Sequence, residues 1–220
     1  MSKSNAIKSF DEYASRYDAW FDTPRGQAIF ESELQCLRPL VAEHKPPGLE
    51  VGVGTGRFAQ ALEIEHGIDP SSELLKIASD RGIKVQLGSG ENLPYEDELF
   101  GLTIIVVTLC FASKPEQLLQ EAARVTRQNG RVVVGIVPSN SPWGRKYSEM
   151  AKQGHHLYKN ARFFTVEEVV NLAKSAGLRK TGAYSTLVAD PDDEITQPKV
   201  YPGTIPTAGF VAISFQRIPS

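Results

Sequence analysis

The segment LEVGVGTGRF, residues 49–58, decides how this chain folds. It runs from a short apolar stretch, typical of a buried strand, through three glycines into a helical pattern over 58–65. Glycines tolerate positive φ and allow a ligand to approach the bare backbone. The following helix begins with free N–H groups and a partial positive charge, which favour an anion. The segment therefore predicts a strand–turn–helix unit that binds a ligand in its turn.

The spacing of the glycines narrows the choice of ligand. A dinucleotide-binding turn follows the pattern G-x-G-x-x-G, whereas Gly52, Gly54 and Gly56 follow G-x-G-x-G and Arg57 stands at the third dinucleotide position. The Gly-Lys-Ser/Thr of a phosphate-binding loop is absent. The spacing argues against an NAD-dependent oxidoreductase, which stays open as a less favoured alternative.

Outward from this segment, apolar strand patterns alternate with helical patterns. The strand patterns lie at 66–69, 83–87, 102–107 and 131–137, and the helical patterns at 73–81 and 115–128, the latter stopped by Asn129-Gly130. Such alternation indicates βαβ units with right-handed crossovers, and hence an α/β fold with a mostly parallel sheet.

Both ends of the chain depart from this alternation. Residues 1–45 form two helical patterns, which we call the helical cap, and the first carries aromatic residues at spacings of three and four. Thr165 and Glu168 form a capping-box pattern that opens a helix ended by Gly177. The last two strand patterns, 178–187 and 208–217, enclose a loop rich in Asp and Pro. With no helix between them, they predict an antiparallel hairpin at the sheet edge.

Composition excludes several classes of protein. The 220 residues contain 24 Lys and Arg against 26 Asp and Glu, a formal net charge of −2, so the overall basic charge of most nucleic-acid binders is missing. The longest apolar run, 102–112, is shorter than the roughly 20 residues that span a bilayer. Two cysteines support neither a disulfide framework nor a four-thiolate metal site. We expect one cytoplasmic domain over 1–220, without a secretory signal, membrane span, metal or nucleic-acid partner.

Four segments together resemble a known family. Residues 49–56, 67–71 (GIDPS), 88–95 (GSGENLPY) and 121–131 (EAARVTRQNGR) are similar to motifs of the class I S-adenosylmethionine-dependent methyltransferases, in the small-molecule branch that includes the quinone-biosynthesis type. The resemblance implies a Rossmann-like, doubly wound sheet of seven strands. It also implies S-adenosylmethionine as cofactor, and methyl transfer to a small-molecule acceptor by in-line displacement.

The residues expected to bind the cofactor come partly from position and partly from this resemblance. Asp69 ends the second strand, where an acid can accept hydrogen bonds from ribose hydroxyls. Ser89 stands where the family usually has Asp, and this departure leaves a catalytically degenerate S-adenosylmethionine-binding protein as an alternative. The expected cofactor-binding residues are Tyr17, Glu50, Gly52, Gly54, Gly56, Asp69, Pro70, Ser89, Gly90, Glu91 and Thr108.

No catalytic residue follows from the sequence, because an activated methyl group needs no protein nucleophile. Residues 139–164, inserted after the fifth strand, are expected to line the acceptor site. Within them, His155 and His156 are candidate bases, although loop histidines are more often simply solvated. Tyr17, on the aromatic stripe of the helical cap, is a third candidate and a possible cover for the cofactor pocket.

Overall fold

The computed structural model describes residues 3–195 and 197–218. Met1 and Ser2 lie outside the described residues. They begin the segment in which no secretory signal was expected. The helices and strands are, in chain order, α1 (Lys3–Trp20), α2 (Pro24–Val41), β1 (Gly48–Val51), α3 (Arg57–Ala61), β2 (His66–Asp69), α4 (Ser72–Asp80), β3 (Lys84–Leu87), β4 (Phe100–Val106), α5 (Pro115–Val125), β5 (Thr126–Ile136), α6 (Pro142–Lys152), α7 (Val166–Ser175), β6 (Leu178–Thr186), β7 (Tyr201–Pro202) and β8 (Phe210–Arg217).

The strands form one twisted sheet in the order β3-β2-β1-β4-β5-β8-β6-β7. Strands β1 to β5 pair in parallel, and β8 is antiparallel to both β5 and β6. The predicted α/β fold with an antiparallel edge is therefore confirmed. The strand order reverses between β1 and β4, so a crevice opens at their carboxyl ends, where ligands bind in sheets of this kind.

The sheet has one strand more than the seven predicted. Strand β7 lies within the loop expected between the last two strands, and pairs with Tyr184 and Ser185 of β6. The Ser185 hydroxyl donates to the Gly203 carbonyl (2.8 Å) and accepts from the Ile205 amide (3.0 Å). These bonds hold the two residues of β7 against β6. The strand therefore forms without alternating apolar residues, and the sequence carries no signal for it.

Helix α5 ends earlier than the sequence pattern predicted. The helix was expected to reach residue 128, but it ends at Val125 and strand β5 begins at Thr126. Thr126 is buried: its hydroxyl donates to the Ala122 carbonyl (2.6 Å) and bonds the Thr103 hydroxyl (2.7 Å). Tertiary contacts of this β-branched residue override the turn signal of Asn129-Gly130.

The core lies on both faces of the sheet. In β4 every residue is buried, with Leu102 and Ile104 packed on the side of α2, α3 and α4, and Ile105 on the side of α5 and α7.

The predicted capping box opens α7, since the Thr165 hydroxyl accepts from the Glu168 amide (3.1 Å) and the Glu168 carboxylate accepts from the Thr165 amide (2.7 Å). Among the described residues, no helix is long and apolar enough to cross a membrane.

Candidate functional site

The glycine turn after β1 forms the floor of the crevice. Gly52 and Gly54 have φ of +73° and +53°, a region that side chains rarely adopt. A Cβ at Gly52 would lie 2.2 Å from Thr108 Cγ2. The Thr108 hydroxyl donates to the carbonyls of Gly52 (3.3 Å) and Val106 (3.0 Å), so this side chain ties the end of β4 to the turn.

The other two glycines of the turn face different surroundings. At Gly54 the nearest atom to an added Cβ is Tyr17 Cε1 at 3.9 Å, so this residue faces open space beneath α1. Gly56 has φ +81°, and a Cβ there would lie 3.1 Å from Ala78 of α4. Gly56 does not line either of the two cavities at the site, and its contact with the cofactor stays a prediction.

The smaller cavity, about 140 Å³, lies at the tips of β1, β2 and β4. Nine of the expected cofactor-binding residues line it, Gly52 and Gly54 among them. The other seven are Tyr17, Asp69, Pro70, Ser89, Gly90, Glu91 and Thr108.

Asp69 is an acid of the smaller cavity whose carboxylate is fixed by two backbone amides. Its Oδ2 accepts from the Gly54 amide (3.0 Å) and its Oδ1 from the Ser71 amide (2.9 Å), so the carboxylate fixes the glycine turn against the end of β2. Burial raises the pKa of Asp69 to about 6, although these two hydrogen bonds oppose the shift. Each oxygen keeps a further lone pair for a ligand hydroxyl.

Ser89 and Glu91 act together at the opposite wall. The Ser89 hydroxyl donates to Glu91 Oε2, and Glu91 Oε1 accepts from the Ser113 amide (2.9 Å). Glu91 is buried and links the loop after β3 to the segment before α5. Where the family usually has Asp, this chain therefore has a serine joined to a neighbouring carboxylate.

Glu50 is a buried acid of the site whose carboxylate is not fully hydrogen-bonded. It is 2% exposed at the end of β1, and its Oε2 has no hydrogen-bond partner among the described residues. Burial raises the pKa of Glu50 well above its usual value, against a smaller opposing effect of the Ala59 amide. This oxygen has the capacity to accept a hydrogen bond from a bound group.

The larger cavity, about 490 Å³, adjoins the smaller one beneath α1. Tyr17, Gly52, Gly54 and Val107 line both cavities, so the two form one continuous site. Its wall is rich in aromatic rings. Most of them come from the helical cap and from the segment after β5, among them Tyr13, Tyr17, Trp20, Phe21, Trp143, Tyr147 and Tyr158.

Helix α1 is fixed over the site by charged contacts. Asp18 pairs with Arg57 of the glycine turn (2.9 Å) and with Arg81 at the end of α4 (2.9 Å). These hydrogen bonds hold the pKa of Asp18 well below its usual range. The Ser71 hydroxyl donates to Asp11 of the same helix (2.5 Å). Arg57, which replaces the third glycine of a dinucleotide turn, thus anchors the cover of the site.

The two histidines are not simply solvated, as loop histidines usually are. Both line the larger cavity, and His155 Nδ1 and His156 Nε2 are buried without a hydrogen-bond partner among the described residues. The His155 ring stacks on Tyr158 (4.8 Å between centroids), and burial lowers the pKa of His155. Residues 139–164 thus contribute to the wall of the larger cavity, and their place beside an acceptor stays a prediction.

Sequence reasoning missed two residues of the site. Glu33 of α2 is 7% exposed and lines the larger cavity. A signal was available, because Glu33 falls on the helix face of Ile29 and Leu37, both buried. Val107 has φ +49°, a strained value for a β-branched residue, and no pattern in the sequence reveals it.

Comparison with known proteins identifies the family. Residues 49–134 match the model of a methyltransferase domain. An uncharacterized protein of Methanocaldococcus jannaschii is 39% identical over 95% of this chain and 98% of its own length. A solved Thermotoga maritima structure, described as an S-adenosylmethionine-dependent methyltransferase and possible histamine N-methyltransferase, is 37% identical with a TM-score of 0.88, covering 96% of this chain and 99% of that one. The human probable tRNA methyltransferase 9B is 30% identical over 50% of this chain and 27% of its own length.

The chain therefore belongs to the S-adenosylmethionine-dependent methyltransferases. It is an enzyme whose cofactor is S-adenosylmethionine, so the alternatives of a nicotinamide oxidoreductase and of a catalytically degenerate protein lose their support. Within residues 3–195 and 197–218, no three His, Cys, Asp or Glu side chains lie close enough together to hold a metal ion.

Proposed function

We propose that this enzyme transfers a methyl group to a small-molecule acceptor bound in the larger, aromatic cavity. The observation that carries the proposal is the continuity of the two cavities through Tyr17 and Gly54. A cavity of about 490 Å³ falls in the usual range for small-molecule sites, roughly 300–1,000 Å³. The description of the Thermotoga maritima protein as a possible histamine N-methyltransferase also favours a small acceptor.

The acids of the site suit the polar groups of S-adenosylmethionine. We assign Asp69 to the ribose hydroxyls, because its oxygens face the smaller cavity with lone pairs to spare. We assign Glu50 to the amino group of the methionine part, because its Oε2 is buried without a partner. Ser89, Gly90 and Glu91 would enclose the adenine. The bare backbone at Gly52 and Gly54 would leave room for the part of the cofactor between the adenine and the amino group.

The residues of the chain contribute position and exclusion of water. When bound, the cofactor would supply a methyl group already activated by a positively charged sulfur. Fixing an acceptor in line with the methyl–sulfur bond can lower the barrier by up to roughly 7–11 kcal/mol. Helix α1, held by Asp18, covers the site, and its aromatic side chains keep water from it.

Calorimetric titration with S-adenosylmethionine and S-adenosylhomocysteine tests the proposal. We expect both to bind in the micromolar to submillimolar range, and Asp69→Ala to weaken both by at least about tenfold, since it removes hydrogen bonds to a charged group. Asp80→Ala, an exposed acid on α4, is the matched control and should bind as the wild type does. Failure of the wild type to bind either compound would contradict the assignment.

A nucleic-acid acceptor is the competing possibility, given the similarity to a tRNA methyltransferase over half of the chain. The formal net charge of −2 favours the small molecule. Salt-dependent retention of RNA by the purified protein would overturn this part of the proposal. Location in the cytoplasm and a single domain over 1–220 also stay proposals, the former favoured by two buried free cysteines.

A further inference from the structure

Glu33 presents a buried carboxyl group to the larger cavity. Its side chain is 7% exposed and lies in the cavity wall. Within the described residues, it forms no hydrogen bond or ion pair. Burying a carboxyl group without a partner is costly, so this position favours a ligand that pairs with it.

Hydroxyl groups and aromatic rings surround this carboxyl. Burial raises the pKa of Tyr17 of α1, Tyr147 of α6, Tyr158 after α6 and Cys36 of α2, and the nearby Glu33 carboxylate adds a smaller effect in the same direction. Burial in turn raises the pKa of Glu33 to about 8. Aromatic faces attract cations, so the ring-lined cavity favours a positively charged group beside the carboxyl.

No basic side chain of the described cavity wall neutralises Glu33. The basic residues have partners of their own: Arg16 lies over Tyr13, Arg25 donates to the Pro191 carbonyl, Arg57 pairs with Asp18, and Lys146 pairs with Asp192. His155 and His156 also line the cavity, and neither forms an ion pair with Glu33. A cationic ligand would supply the compensating charge.

We propose that the methyl acceptor is a small organic amine whose ammonium group pairs with Glu33, and that Glu33 accepts the proton the amine must lose. This inference rests on the proposed function. The N–H bond breaks and its proton passes to a Glu33 oxygen. The freed nitrogen lone pair forms a bond to the methyl carbon, while the electron pair of the methyl–sulfur bond stays on sulfur. Glu33 then returns its proton to water.

Titration of the S-adenosylhomocysteine complex with amines tests this assignment. The probes are 2-phenylethylamine, tryptamine and histamine, with 2-phenylethanol as the uncharged match of the first. We expect at least one amine to bind, and 2-phenylethanol to bind much more weakly. Binding at pH 7 should release about one proton to the buffer, because Glu33 must ionise to pair with the ammonium group.

Two variants separate this role from a structural one. Glu33→Gln should weaken amine binding at least about 30-fold and abolish the proton release. It should also lower methyl transfer at saturating amine by roughly 100-fold or more. Glu31→Gln, two residues away on the same helix and bonded to Gln35, is the matched control and should leave all three measurements unchanged.

The outcomes distinguish this inference from the proposed function. Normal S-adenosylhomocysteine binding by Glu33→Gln shows that the variant is folded and that any loss concerns the acceptor. If the wild type binds S-adenosylhomocysteine but none of the amines, or if Glu33→Gln binds them equally well, the amine assignment is wrong while the methyltransferase site stands. If the wild type does not bind S-adenosylhomocysteine, both fall.

Discussion

Glu50→Gln is expected to weaken S-adenosylhomocysteine binding by about 100-fold while making the free protein more stable. The loss of affinity corresponds to roughly 2–3 kcal/mol, the contribution of a hydrogen bond to a charged group. The gain in stability follows from removing a carboxyl group that is 2% exposed and has an unpartnered oxygen. Calorimetric titration and thermal unfolding measure the two effects.

The gain in stability should depend on pH. Because the pKa of Glu50 is raised in the folded state, the unfolded chain ionises first as pH rises above about 4.5, and the wild type loses stability. Glutamine does not titrate, so the advantage of the variant should be small at pH 4 and grow toward pH 8. Glu116→Gln, exposed on α5, serves as the control. If Glu50→Gln lost stability as well as affinity, Glu50 would instead be an acid that stabilises the fold.

Gly52→Ala is expected to lower the free energy of unfolding by about 3 kcal/mol or more. Its Cβ would lie 2.2 Å from Thr108 Cγ2, and its φ of +73° penalises any side chain. Overpacking costs roughly 1–3 kcal/mol and left-handed backbone roughly 1–2 kcal/mol. For a chain of this length, the midpoint of thermal unfolding should fall by roughly 6–12 °C.

Gly54→Ala is the matched control, because its Cβ would meet only Tyr17 Cε1 at 3.9 Å. It should cost only the backbone penalty, about 1–2 kcal/mol. Thr108→Ala in the Gly52→Ala background should recover part of the lost stability, since it removes the atoms closest to the new methyl group. Equal destabilisation by Gly52→Ala and Gly54→Ala would mean that the contact with Thr108 does not matter.

Local patterns predicted most of the fold. The glycine turn and the alternation of strands and helices predicted the parallel sheet, and the Thr165–Glu168 pattern predicted a helix start. Features that depend on distant contacts were missed. Strand β7 depends on the Ser185 hydroxyl, and the early end of α5 depends on Thr126, which contacts Thr103 of another strand.

The residues of the site divide in the same way, into those that local patterns predict and those that depend on distant contacts. The sequence placed Asp69 and the glycine turn because strand tips and turns are local features. It did not place Glu33, because the position of this side chain in the cavity wall depends on how α2 packs on β5, β6 and β8. At Gly56 an added Cβ would lie 3.1 Å from Ala78, so close packing against α4 is one reason for glycine at this position that the motif does not reveal.

A crystal structure of the protein with S-adenosylhomocysteine tests the central claim most directly. The account predicts that the Asp69 carboxylate accepts hydrogen bonds from the ribose hydroxyls and that Glu50 contacts the amino group. It also predicts that the sulfur faces the aromatic cavity containing Glu33. A nucleoside bound elsewhere, or an Asp69 carboxylate without contact to the ribose, would contradict the account.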